Sequence, residues 1–194
     1  MGSRKNSAVT IAAAFLLITC SATDNNQVHG DTCSRLASCS SCLEKSYCSW
    51  CVTKSKCTKQ ACGNDNVIYP KRVKALMSGP EFCPRAVMPE NVLVFESGKR
   101  QIITVKITQI YLYMAFTQWR CKISLKGRET IVHALLLADE VYCDSAELIN
   151  DTDNAYIDGN IEIMWDHNKT FDGITFFKVC RCDIDPSCIA CSKS

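Results

Sequence analysis

Three scarcities in this chain each remove a class of function. Histidine occurs three times in 194 residues, at His29, His133 and His167, and no two have a metal-ligand spacing such as H-x3-H. No G-x-S-x-G elbow, phosphate-cradling glycine loop or His-Glu-x-x-His helix is present. The acids Asp139-Glu140 and the pair Asp151 and Asp153 stand in loop-like stretches, where carboxylates are ordinarily solvated. The chain therefore reads as a non-enzyme with no call for a cofactor. An excess of one charge is also missing, since 22 basic side chains stand against 20 acidic ones. That balance argues against nucleic acid as a partner. Beyond the N-terminus no stretch approaches the roughly 20 apolar residues that span a bilayer, so direct membrane insertion is not expected.

Cysteine is abundant instead, with 15 residues, and the N-terminus says what state they are in. Arg4 and Lys5 precede an uncharged apolar run from Val9 to Ile18, followed by the small residues Cys20-Ser21-Ala22. This is the pattern of a signal peptide over residues 1–22, cleaved after Ala22. Cleavage removes Cys20, Arg4 and Lys5, leaving 15 − 1 = 14 cysteines and 22 − 2 = 20 basic against 20 acidic residues. An even cysteine count in a secreted or extracellular chain reads as a disulfide framework.

The cysteines divide the rest of the chain. After a short linker (residues 23–32), eight fall between Cys33 and Cys83, starting C-x5-C-x2-C-x5-C-x2-C-x5-C from Cys33 through Cys39, Cys42, Cys48 and Cys51 to Cys57. Cys62 and Cys83 complete the set. This block has few aliphatic residues and could not offset its chain entropy without cross-links. Trp50 is the expected aromatic plug of its core. The next block (residues 84–181) reads as β-sheet. Trp119, Cys121, Ile123 and Leu125 alternate with polar residues, and Gln101 to Ile110 is dense in β-branched side chains. Further strands are expected at Thr130–Leu136, Glu140–Cys143, Ile161–Trp165 and Thr175–Val179, punctuated by Gly98, Gly127, Gly159 and Gly173. Six or seven short strands suggest a two-sheet, immunoglobulin-like sandwich, with Cys121 placed to bridge to Cys143. In the tail (residues 182–194), Cys182-x5-Cys188-x2-Cys191 repeats the spacing of Cys33-x5-Cys39-x2-Cys42.

Together these features resemble the extracellular region of the plexin family. Cys33 to Cys83, with Cys48-Ser49-Trp50-Cys51 at its centre, is similar to a PSI domain, the cysteine-rich module shared by plexins, semaphorins and integrins. The following block resembles the first IPT (TIG) domain of plexins, and the tail resembles the start of a truncated second PSI-like module. The fold implied is a small disulfide-rich PSI module plus an all-β immunoglobulin-like (IPT/TIG) sandwich. Eight cysteines allow about a hundred connectivities. The resemblance implies Cys33–Cys48, Cys39–Cys83, Cys42–Cys57 and Cys51–Cys62, with Cys121–Cys143 in the sandwich. It leaves open the pairing of Cys180, Cys182, Cys188 and Cys191. Cys180 is a departure from the family pattern.

Plexins bind semaphorins through a sema propeller that precedes the first PSI domain, and this chain does not contain one. The expected function is therefore a non-enzymatic extracellular protein-interaction and spacer module. Its partner would be a plexin or semaphorin in cell-surface signalling, with a cell-surface location if the chain is part of a full-length receptor. The rival reading is an independent secreted cysteine-rich effector, matrix component or ligand with its own receptor.

Three further features stand beside this. Lys54, Lys56, Lys59, Lys71, Arg72 and Lys74 form a basic run that suits a sulfated glycan, or more plainly a solvated face. Asn150 and Asn168 head N-glycosylation sequons. The four tail cysteines have a spacing open to zinc, but an oxidising compartment favours disulfides.

Overall fold

A computed structural model describes residues 32–191. The signal-peptide reading, Cys20, His29, nearly all of the linker and the last three residues lie outside them. The N-terminal module has little regular structure to build on. It contains α1 (Cys39–Leu43) and three short strands, β1 (Ser49–Cys51), β2 (Lys56–Thr58) and β3 (Val67–Ile68), in the order β2-β1-β3. A five-residue helix does not hold by propensity. Here both of its cysteines are anchored, Cys39 to Cys83 and Cys42 to Cys57. Cys33–Cys48 and Cys51–Cys62 complete the knot, so all four pairs coincide with those the resemblance implies. Trp50 is 3% exposed and fills the centre with Val52 and Ile68.

The sandwich runs from β4 (Arg85–Ala86) and β5 (Leu93–Glu96) through β6 (Arg100–Thr108), β7 (Trp119–Leu125), β8 (Arg128–Leu137) and β9 (Glu140–Glu147). It ends with β10 (Tyr156–Trp165), β11 (Lys169–Thr170) and β12 (Thr175–Cys180). Its two layers form one continuous ladder, β4-β6-β9-β8-β7-β10-β12-β5, because β8 crosses between them. The first part of β8 pairs with β7 and its last residues pair with β9, and Ala134 takes part in both pairings. Cys121 of β7 bonds Cys143 of β9 directly inside this crossing.

Alternation produces the core. On β7, Trp119, Cys121 and Ile123 are buried and the residues between them are not. They meet Ile103, Val105, Ile107 and Val141 from the facing layer, and Ile161, Ile163, Phe177 and Val179 from β10 and β12.

Three expectations need correction. β5 was not foreseen; it pairs parallel to β12, from Leu93↔Phe177 to Glu96↔Cys180. The strand expected over Ile161–Trp165 begins five residues earlier, at Tyr156. Gly159 is consequently no punctuation mark. It lies in mid-strand, where an added Cβ would sit 2.3 Å from the Phe177 ring. Phe177 is 1% exposed and packs edge-on against Phe95 at 5.5 Å, so the ring cannot yield. Gly159→Ala should therefore lower unfolding free energy by about 1–3 kcal/mol, read from urea denaturation with an unchanged m-value. A stability equal to the parent's would show that the ring has room to move.

Candidate functional site

The residues that set the relation between knot and sandwich come from four places in the chain. α1 starts with Ser38 as N-cap, whose Oγ accepts from Ser41 N at 3.2 Å. The two preceding donors need an acceptor from elsewhere. Asp172, 133 residues from Cys39, supplies it. Its Oδ1 accepts from Cys39 N at 2.9 Å and its Oδ2 accepts from Ser40 N at 2.6 Å. Asp172 is 8% exposed, and its carboxylate sits where backbone N–H groups favour negative charge.

Asp172 is held in turn by its own backbone. Its N–H donates to Pro84 O at 2.9 Å, and its carbonyl accepts from Ala86 N at 2.8 Å. Gly173 follows at φ +83°, and a Cβ there would lie 3.2 Å from Ala86 O, so the chain passes this point only as glycine. One residue before Pro84, Cys39–Cys83 ties the same helix turn to the connecting chain. Closing its 44-residue separation is worth about 4 kcal/mol in the chain-entropy model.

Apolar packing seals the joint. The 3-10 turn Leu112–Phe116 follows β6 and inserts Met114, fully buried, between the modules. Met114 O accepts from Trp119 Nε1 at 3.0 Å. Trp50 and Val52 of the knot meet Met114 and Trp165 of the sandwich around a void of about 10 Å³, at the limit of what holds one water. Tyr111 reaches back with its hydroxyl 3.4 Å from Phe82 O. Burial, with the Tyr113 hydroxyl beside it, pushes Tyr111 up to about 12, so it stays a neutral donor.

The other sequence-predicted residues lie apart from this joint. The basic run is split by the strand order. Lys54 lies in the β1–β2 turn, Lys56 starts β2 and Lys59 follows it, while Lys71, Arg72 and Lys74 follow β3 on the other flank of β1. All six are exposed. Asp65 spends its carboxylate on Thr53 N and Lys54 N rather than on a lysine side chain. Asn168 is exposed in the β10–β11 turn. Asn150 is not a solvent-facing loop tip: it is 4% exposed, donates Nδ2 to Asn154 O at 2.9 Å, and accepts from Thr152 Oγ1 at 2.7 Å. Asp139 and Asp151 pair with Lys106 and Lys126 in separate turns.

The tail pairs within itself, Cys180–Cys188 and Cys182–Cys191. The spacing repeat is therefore not a pairing repeat, since Cys33 and Cys42 bond Cys48 and Cys57 while Cys182 bonds Cys191. No thiolate remains among these four for a zinc site. Arg181 Nη1 donating to Thr152 O at 2.7 Å and Tyr156 OH donating to Asp185 at 2.8 Å fasten the tail to the sandwich.

Sequence reasoning missed Asp172, and no local signal marks it, because its partners are more than 130 residues away. Asp172→Ala should cost about 2–3 kcal/mol by leaving one buried and one part-buried donor unpaired, and Asp172→Asn about half of that. Amide exchange at Cys39 and Ser40 should quicken in the alanine variant. Unchanged exchange at both amides would contradict the assignment.

Comparison with known proteins follows the same division. The family model described as "Plexin repeat" matches residues 32–73, and that described as "TIG domain found in plexin" matches residues 90–180. No curated protein sequence matches. Two structures of the plexin A4 full extracellular region are similar in fold, each with a TM-score of 0.59 and 20% identity over 77% of this chain. The aligned part spans 15% and 13% of those chains. A plexin repeat and a plexin-type TIG domain, in that order and on one shared core, place this chain with the extracellular modules of the plexin family.

Proposed function

We propose that this chain is a non-enzymatic extracellular interaction and spacer module that holds neighbouring binding parts of a semaphorin–plexin assembly at a set angle. The joint carries this reading. Two modules linked only by a flexible segment would turn independently, whereas here Asp172 caps a helix of the knot, and Met114 and Trp165 close the apolar contact behind it. Fourteen cysteines in seven disulfides suit an oxidising, extracellular setting. The described residues include no helix long and apolar enough to cross a membrane.

The exposed cations are assigned to solvated faces rather than to a sulfated glycan. Of the two sequons, Asn168 is the one assigned a glycan.

The test is co-precipitation of the secreted chain with plexin and semaphorin ectodomains. The expected result is recovery with at least one of them, reduced in Asp172→Ala, where the joint is loosened. Recovery with none of them would remove the direct-partner reading and leave an independent secreted effector.

A further inference from the structure

The layers of the sandwich are closed along only part of β8. Arg128 to Ala134 pair with β7, and only Ala134 to Leu137 pair with β9. Beyond Cys143, β9 runs on to Glu147 against β6 alone. Between these two diverging strands a groove of about 570 Å³ opens into the sandwich. Its floor is Ile123, Val132, Ala146 and Leu148. Lys126 and Asp151 bridge its two sides with a 2.6 Å ion pair. An exposed pair of this kind contributes little, so displacing it is cheap.

Register determines what β8 presents to this groove. The β7–β8 connection is the two-residue turn Lys126-Gly127, at φ 51° and 73°, the geometry of a type I′ hairpin whose closing pair Leu125–Arg128 exchanges backbone hydrogen bonds. Alternation then directs the N–H and C=O groups of Arg128, Thr130 and Val132 to β7. Those of Glu129 and Ile131 face the seam, and the pairing with β9 begins just beyond His133. Among the described residues no strand pairs with this stretch of edge. Natural edges are usually guarded by proline, a bulge or an inward lysine, and Glu129 to His133 contains neither proline nor lysine. Outside the seam, Ile131 and Leu135 of the same strand are 54% and 66% exposed.

We propose that the seam binds an extended peptide strand of a partner protein by addition to the edge of β8. Unpaired peptide groups are complementary to another peptide backbone, and the apolar floor receives alternate side chains of the added strand. The remaining side chains would lie beside Ile131 and Leu135. A space of this size takes a short segment rather than a folded domain, so the occupant is a single strand and not the face of a second copy. The proposal deepens the interaction-module reading. It does not depend on the spacer role, because the seam opens at the far end of β7 from Trp119 and the joint.

The probe is a short synthetic peptide of alternating valine and threonine with lysine ends, added to the full chain. Hydrogen exchange at Glu129 and Ile131 should slow by about tenfold. The same peptide N-methylated on alternate amides should bind about tenfold more weakly or worse. This control leaves the protein untouched. Ile131→Pro removes a donor that faces the seam rather than β7, which an edge strand tolerates, and should weaken binding similarly. Unchanged exchange at the two amides under saturating peptide, or equal affinity for the N-methylated peptide, would overturn the proposal. So would protection of those amides in the free chain that rises with its own concentration, which would give the seam to a second copy. None of these outcomes touches the joint, so the co-precipitation result stands or falls separately.

Discussion

The carboxylate of Asp172 is the contact on which the arrangement of this protein depends. It satisfies two backbone donors at the start of α1 from 132 and 133 residues away. Its own backbone is locked to Pro84 and Ala86, where the connecting chain enters the sandwich. The disulfide Cys39–Cys83 acts on the same helix turn. Two hydrogen bonds and a covalent bond thus fix one point, and Trp50 and Val52 pack against Met114 and Trp165 behind it. The knot could not bury enough apolar surface alone. It uses the sandwich as the missing half of its core, which is why the buried cluster runs without a break from Cys33 to Val179.

Within the sandwich the comparable constraint is the crossing of β8. Cys121–Cys143 staples the layers where Ala134 exchanges one partner strand for the other. Closure at that point leaves the opposite part of β8 paired with β7 alone. The rigidity at one end and the open seam at the other therefore arise from the same strand. The tail is held near the open end, where Arg181 and Tyr156 connect it to the loop after β9 and to β10.

What was legible in the sequence is what depends on local period or on a family pattern. Trp119 to Leu125 alternates because one face is buried, and the structure buries that face. The pairs of the knot came from family likeness, since spacing alone leaves about a hundred choices. What was not legible depends on residues far apart in the chain. Asp172 looks like any loop acid until it meets Cys39 and Ser40. Gly159 looks like a turn residue, though it serves to admit the Phe177 ring. Asn150 looks like an exposed sequon, though its amide closes a loop against Asn154. The tail shows the limit of spacing itself. Cys182, Cys188 and Cys191 copy the intervals of Cys33, Cys39 and Cys42, but without a Cys48 or Cys57 equivalent among them they close on Cys180 and on one another.

The central claim is that knot and sandwich move as one body through the Asp172 joint. Residual dipolar couplings of backbone amides in both modules, measured on the oxidised chain, test it most directly. One alignment tensor should fit the couplings of Cys33–Cys83 and of β4–β12 together. Two tensors of different magnitude or orientation would show that the modules turn independently and would contradict the account.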